Sequence, residues 1–573
     1  MVKINIDGQE LQVQEGITIL EAARSANIKI PTLCYHEDQR IKSVCRICVV
    51  EIEGQRLLQA ACSYPVGEGM VIKTASPKVI QARRNVLELI LARHPQDCLT
   101  CSKNGYCELQ DLTQELNMKR PLRYEREIRP HSIDLSSTSI VREPSKCILC
   151  TRCIEACEDV QTIGVIGKEN RGFHTIVVPP YGKDMNETVC VNCGQCVQVC
   201  PVGALTIKDD THKIYENMQA GKMLVAQVAP SVRTTIAEAL GEAPGIASAG
   251  RLVTAMKKLG FHRVFDSDFS ADLTIMEEGY ELLDRIQNGG VLPMITSCCP
   301  AWVKFCETYS PKYTKHLSTA KSPQQMFGPV IKTYFAEKEN IDPANICSIS
   351  IMPCTAKKYE CQRSEMNASG HQDVDISLTV QELANMIREA GINFADLPET
   401  PFDNPFGLGS GAGEIFAATG GVMEAALRTV YEVSTGQTLE KLDFHEVRGL
   451  AGLKEAEVNL NGTIVKVAVV HGLGNAREIM RKVRAGTADY HFIEVMACPG
   501  GCIGGDGNPI RNWKKVKART ESVYQQDRDL PVRKSHETEA IKKIYAEFLG
   551  KPLSDKAHHL LHTSYCNRQD LLR

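Results

Sequence analysis

H-F-I-E-V-M-A-C-P-G-G-C-I-G-G, residues 491–505, joins a short strand pattern to a cysteine-bearing turn, and its reading decides the fold. His491–Met496 is dominated by apolar and β-branched residues, the pattern of a buried parallel strand. The same arrangement occurs twice more. Val291–Thr296 runs into T-S-C-C-P, and Ile346–Met352 runs into P-C-T. Ligand sites of open α/β sheets collect outside the carboxyl ends of the strands. Three such ends delivering Cys299, Cys354 and Cys498, with Cys502 as a fourth thiolate, describe one buried cubane iron–sulfur site. Gly500 and Gly501 are expected to let the backbone pass close to a large inorganic body. Isolated buried cysteines are common in cores, but four in one repeated setting argue for ligation.

T-S-C-C-P-A-W at Thr296–Trp302, M-P-C-T-A-K-K at Met352–Lys358 and M-A-C-P-G-G-C-I-G-G at Met496–Gly505 resemble, in order, the three signatures of the iron–iron hydrogenases. The resemblance runs over essentially the whole chain. It implies that Cys299, Cys354, Cys498 and Cys502 hold a 4Fe-4S cubane. It further implies that Cys502 bridges the cubane to a diiron subcluster carrying CO, cyanide and a dithiolate, together the H-cluster. The diiron unit rests on the resemblance alone.

The chain has 573 residues, which calls for several domains, since single cores rarely exceed about 250–300 residues. A net charge of −3 gives no general attraction to nucleic acid or to an anionic membrane. Twenty-four cysteines in so long a chain are not the disulfide scaffold of a small secreted domain. Most fall in metal-ligand spacings and point to a reducing, anaerobic compartment. With no signal peptide and no long apolar run, a cytoplasmic protein without a membrane span is expected.

A string of small redox modules precedes one large domain. Val2, Ile4 and Ile6 alternate, Asp7-Gly8 can turn, and Leu11 and Val13 alternate again, which predicts a hairpin. Thr18 and Glu21 fit a capping box opening a helix through about Ala26. Cys34, Cys45, Cys48 and Cys62 follow; the first gap is longer than in plant-type ferredoxins. A 2Fe-2S cluster on a β-grasp domain is expected over residues 1–78, with zinc as the competing reading of C-x-x-C. His94, Cys98, Cys101 and Cys107, within 79–118, resemble a one-His, three-Cys 4Fe-4S site. A neutral imidazole in place of a thiolate raises a cluster's potential.

A basic stretch from Lys119 to Pro130 reads as a solvated linker. Over 138–209, Cys147, Cys150, Cys153 and Cys157, then Cys190, Cys193, Cys196 and Cys200, repeat the two-cluster bacterial ferredoxin spacing. The fourth cysteine of each run ligates the other cluster. Cys200 therefore joins the first three, and Cys157 joins Cys190, Cys193 and Cys196. The expected cofactors are one 2Fe-2S cluster, three accessory 4Fe-4S clusters and the H-cluster.

Residues 220–511 are expected to form a large α/β domain with its active site between two lobes. Cys298 should point away from Cys299, because adjacent residues leaving a strand face opposite ways; the resemblance makes it the proton donor and acceptor. Glu278, Glu281 and Arg285 share one helix face. A solvated ion-pair face is the plain reading, whereas the resemblance makes Glu278, Ser318, Glu281 and Arg285 a proton path from Cys298. Lys357, three residues after Cys354, needs an anion if buried, and the resemblance supplies a cyanide. It also places Ser231 on the other cyanide and Pro230, Gln324, Met352, Phe416 and Met496 around the diiron unit.

Val465–Val470 followed by H-G-L-G-N-A-R-E mimics a dinucleotide turn, but Arg477 stands where the third glycine belongs. That site and Gly407–Gly413 read as tight turns. Residues 512–573 resemble a wrap that some hydrogenases carry as a separate small subunit. Cys306, Cys347, Cys361 and Cys566 are expected to be buried structural thiols. C-P-G-G-C-I-G-G, K-K-Y-E-C and L-L-H-T-S-Y-C-N-R-Q resemble catalytic subunits of multimeric, NAD(P)-linked hydrogenases. Such chains work on H2 and protons with flavin- and NAD(P)-binding subunits, sometimes with ferredoxin. A single-chain ferredoxin-linked enzyme is the alternative. An electron-transfer subunit, a hydrogen sensor and an assembly factor would each lack part of the set Cys298, Cys502 and Lys357.

Overall fold

The computed structural model describes residues 1–119, 123–125, 127–128, 130–460 and 462–572. The chain forms two compact units, Met1–Asn186 with Val199–Thr206, and Glu187–Gln198 with Ile207–Arg573.

In the first unit, Val2–Ile6 and Gln9–Val13 make an antiparallel hairpin. Its turn residues Asp7 and Gly8 both have positive φ, as a two-residue hairpin loop requires. Val71–Lys73 joins parallel to the first strand, and Val49–Ile52 and Gln59–Ala60 complete a five-stranded mixed sheet. Ile6, Ile19, Leu20 and Ile72 are buried on its core face. The helix Ile19–Ser25 carries the Thr18/Glu21 capping box. The helix Pro77–Arg93 starts at a Ser76 cap and ends at His94. Of the expected linker, residues 120–122, 126 and 129 lie outside the described residues. Its described members are exposed, although Arg123 pairs with Glu88 at 2.8 Å.

The second unit contains two sheets, each with its own apolar core. Arg263–Asp266, Met223–Val228, Ile346–Met352 and Ile376–Thr379 form one sheet in that order, all parallel. Every residue of Ile346–Met352 is buried, as the unbroken apolar run demands. Met294–Ile295, Phe492–Met496, Thr463–His471 and Leu453–Leu460 form the other, with only the last antiparallel. The cysteine-delivering strands are thus divided between two sheets. The expected strand over Val291–Thr296 shrinks to Met294–Ile295, because Pro293 has no N–H to give to a ladder.

Arg477 has a packing role. Its guanidinium lies 5.1 Å and 5.0 Å from the ring centres of Phe305 and Tyr309. The C-terminal helices Trp513–Asp529, Glu539–Ile544 and Asp555–Leu561 bury apolar residues in the cores of this unit. Arg428, fully buried, fastens the first of them with 2.9 Å bonds to both oxygens of Asp527. No described helix is long and apolar enough to cross a membrane.

Candidate active site

One cavity in the second unit gathers what the sequence scatters along the chain. Cys299, Cys354, Cys498 and Cys502 line it, together with Cys298 and Lys357. Pro230, Ser231, Gln324, Met352, Phe416 and Met496 line it too. The convergence follows from the connections. Met352 and Met496 are the last residues of strands in different sheets. Ser231 lies in the first turn of the helix Pro230–Ala239, and Cys299 caps the helix Pro300–Tyr309. Strand carboxyl ends and helix amino ends therefore face one space, where unpaired N–H groups favour an anionic occupant.

The cavity suits an anionic iron–sulfur body. The Ser231 hydroxyl is buried with no hydrogen-bond partner among the described residues. Cys299 Sγ accepts the Ala497 N–H at 3.4 Å, and Cys498 Sγ accepts the Gln195 amide at 3.4 Å. Among the described residues, triads of ligating atoms within 4.8 Å of one another come from Glu432, His536 and Glu537 and from Glu424, Asp443 and Asp527; none includes a cysteine.

Three local expectations change in detail. Cys298 and Cys299 lie beyond the end of their strand, so alternation does not separate them, and both face the cavity. Gly500 and Gly501 have positive φ, and a Cβ on Gly501 would sit 2.5 Å from the Thr419 nitrogen. Close approach to the chain itself accounts for these glycines. Lys357 already has an anion: its Nζ is 2.8 Å from Glu360 and 3.1 Å from the Cys298 carbonyl. Burial opposes its charge, but Glu360 more than compensates and holds its pKa above the usual value.

A line of polar groups leads away from Cys298. Glu278 is 1% exposed, lies near enough to Cys298 that its ionised form would raise the thiol's pKa, and hydrogen-bonds Ser318. Burial, aided by Glu281, pushes its carboxyl up to about 8. Ser318 Oγ donates to Glu281 at 2.8 Å, and Arg285 bonds Glu281 at 2.6 Å. Arg285, its side chain 11% exposed, is the outer end of this line. The helix face that reads as solvated in sequence is buried at Glu278 and Glu281.

The accessory residues form local groups. Cys34 pairs with Cys45, and Cys48 with Cys62, through thiol hydrogen bonds. Two pairs match a site with two irons. The His94 ring is buried and bonded to the Lys146 backbone, while its Nδ1 has no partner among the described residues. Burial lowers its pKa to about 4, so the imidazole is neutral, the state a metal ligand needs. Cys98, Cys101 and Cys107 follow in the next turns. Cys147, Cys150, Cys153 and Cys200 line one cavity of the first unit. Cys157 belongs to the first unit, whereas Cys190, Cys193 and Cys196 belong to the second. Leu149 and Thr151 have positive φ, and so do Asn192 and Gly194 at the equivalent places of the repeat.

Sequence reasoning missed Gln195, Glu360, Asp506 and Tyr565. Tyr565, in the L-L-H-T-S-Y-C ending, donates its hydroxyl to the Ser318 carbonyl. Cys306, Cys347 and Cys361 are buried, but Cys566 is exposed, contrary to expectation, on the terminal segment that packs over Glu307.

Comparison with known proteins matches residues 222–506 to the iron only hydrogenase large subunit, C-terminal domain, and 514–568 to the iron hydrogenase small subunit. Residues 1–77 match a 2Fe-2S iron-sulfur cluster binding domain, and 83–121 match the NADH-ubiquinone oxidoreductase-G iron-sulfur binding region. Residues 146–204 match a 4Fe-4S dicluster domain. The NADP-reducing hydrogenase subunit HndD of Solidesulfovibrio fructosivorans is 48% identical over 100% of both chains. Iron hydrogenase 1 of Clostridium pasteurianum is 39% identical over 99% of this chain and 100% of its own. A variant of FeFe-hydrogenase HydA1 from Chlamydomonas reinhardtii superimposes with a TM-score of 0.57 at 40% identity, covering 63% of this chain and 99% of its own. With its cysteine-lined cavity, its iron–sulfur modules and these relatives, the chain belongs to the iron-only, or FeFe, hydrogenases and is a hydrogenase.

Proposed function

We propose that this chain is the catalytic subunit of a multimeric hydrogenase, interconverting H2 with two protons and two electrons at the cavity between its two sheets. The single observation that carries the reading is that cavity. Four cysteines, a further thiol at Cys298, an ion-paired lysine and a partnerless serine hydroxyl meet there, at the head of a buried line of proton carriers. Cys299, Cys354, Cys498 and Cys502 would hold the cubane, with Cys502 shared with the diiron unit. When bound, that group supplies the redox chemistry and the open metal position for hydrogen.

The chain's own residues do the rest. Cys298 presents its sulfhydryl proton to the cavity. Glu278, kept neutral at pH 7 by burial, passes a proton between Cys298 and the Ser318 hydroxyl. Ser318, 2.8 Å from Glu281, hands it on to that carboxyl, which Arg285 orients at 2.6 Å. Lys357, fixed by Glu360, and Ser231 supply donors for anionic ligands in the cavity. Met352, Phe416, Met496, Pro230 and the Gln324 side chain close its walls against water.

The accessory ligands would be Cys34, Cys45, Cys48 and Cys62 for a 2Fe-2S cluster, and His94, Cys98, Cys101 and Cys107 for a 4Fe-4S cluster. Two more 4Fe-4S clusters would use the two ferredoxin runs, with their fourth cysteines exchanged. The domains would run over 1–78, 79–118, 138–209, 220–511 and 512–573. Electrons would leave through a flavin- and NAD(P)-binding partner in the cytoplasm, with ferredoxin as a further acceptor. Leu99, between Cys98 and Cys101, is 93% exposed and Tyr106 is 49% exposed, which suits a docking face beside the His94 centre. HndD's description as a subunit supports such an assembly.

The decisive experiment is Cys298→Ala. The variant should assemble all its clusters, because Cys298 is not a ligand, yet lose nearly all turnover. Full hydrogen evolution at wild-type iron content would refute the assignment.

A further inference from the structure

Gln195 occupies an unusual place. It lies between Cys193 and Cys196, inside a ferredoxin loop, yet its side chain is 2% exposed and its Nε2 donates to Cys498 Sγ at 3.4 Å. A residue embedded among proposed ligands of one cluster therefore donates to a proposed ligand of another. The contact is held from several sides. Thr355, next to Cys354, donates its hydroxyl to the Asn192 carbonyl at 2.9 Å. Gln198 Nε2 donates to the Gly505 carbonyl at 3.1 Å. The Asp506 carboxyl packs so tightly on Gly194 that a Cβ there would lie 1.8 Å from Oδ2. Asp506 in turn accepts the Thr355 N–H at 3.2 Å. The Cys190–Cys196 loop thus cannot slide relative to the turns bearing Cys354, Cys498 and Cys502 without breaking several buried bonds.

The chemistry of the amide-to-sulfur bond decides its role. A cluster thiolate carries more negative charge when the cluster is reduced. A hydrogen bond to it stabilises the reduced form more than the oxidised one and raises the potential. Cys299 receives its donor from the Ala497 backbone, which no side-chain substitution removes. Cys498 receives one from a side chain. A buried amide without a partner is costly, and an anionic sulfur makes the bond charge-assisted.

We propose that Gln195 is a positioning residue that raises the reduction potential of the Cys299/Cys354/Cys498/Cys502 cubane by hydrogen-bonding Cys498. It thereby matches the cubane to the accessory cluster whose loop Gln195 belongs to, and gives electrons a short bonded contact between the two. This inference rests on the proposed ligand set.

The test uses the matured full-length enzyme, titrated electrochemically while the infrared CO and cyanide stretches of the H-cluster report the charge on the adjoining cubane. Gln195→Leu and the length-matched Gln195→Met remove the donor. Each should shift the cubane reduction equilibrium about tenfold toward the oxidised form, about 59 mV for one electron. Gln195→Glu, whose ionised carboxylate offers only acceptors, should lower the potential further. Iron content should stay at the wild-type level. If Leu fails to accumulate, Met decides the question. Midpoints equal to wild type, or shifted upward, in the donor-free variants would overturn the proposal and leave Gln195 a packing residue. The ligand reading fails separately: either the wild type shows no CO and cyanide bands, or Cys498→Ala leaves bands and midpoint untouched.

Discussion

Replacing Glu278 with Gln tests the buried proton line at its most perturbed member. The carboxyl is 1% exposed and one of its oxygens has no partner. Moving it from its ordinary 4.5 to about 8 corresponds, at about 1.36 kcal/mol per pH unit, to roughly 5 kcal/mol in favour of the neutral form. At pH 7 the protonated form should exceed the ionised one about tenfold. A relay in this state holds a proton ready and is poised to regain it. The same shift couples to stability. Above about pH 4.5 the unfolded carboxyl ionises, while the folded one keeps its proton until about 8. Folding therefore takes up a proton across that window, and stability falls as pH rises through it, by at most about 1.4 kcal/mol per pH unit. The Glu278→Gln substitution would remove both effects at nearly constant volume. The assay is the infrared carbonyl stretch of a protonated carboxyl, followed from pH 5 to pH 9 alongside hydrogen evolution. The wild type should lose one such band with a midpoint near pH 8, and the variant should lack it. Turnover should drop by about 10²–10⁴-fold with all clusters present, the usual contribution of a general acid–base group. A band that titrates near 4.5, survives the substitution, or accompanies wild-type turnover in the variant would refute the reasoning.

Two further outcomes are expected. Arg428→Ala removes the cation shared by the buried carboxylates of Glu424 and Asp527, which keep Arg448 and Arg533 respectively, and should destabilise the second unit by about 1–3 kcal/mol, measured by urea unfolding; limited proteolysis should then cut within Trp513–Asp529. The isolated matured subunit should reduce a viologen dye with hydrogen but not NAD or NADP, and a flavin-bearing partner should confer nucleotide reduction; rapid NAD(P) reduction by the chain alone would sink the multimeric reading.

Local signals in the sequence carried far. The Thr18/Glu21 box, the Asp7-Gly8 turn and the strand Ile346–Met352 appear in the structure where the residue pattern places them. These depend on neighbours within a few positions, and propensity, capping and alternation act at that range. The Val291–Thr296 strand failed locally as well, since Pro293 outweighs its apolar neighbours.

The sequence by itself determined the family and the order of its modules, since cysteine spacing is a covalent property of the chain. It also marked Ile346–Met352 and most of His491–Met496 as buried strands. Only the tertiary structure decided that the three cysteine turns come from two sheets, that Cys298 and Cys299 face the same space, and that Lys357 is neutralised by Glu360. It alone showed that Glu278 is sealed from water and that Gln195 reaches Cys498 across 303 residues. The physical reason is that spacing governs what one turn can bind. Charge, desolvation and hydrogen bonding are set by whichever distant segments the two apolar cores press together.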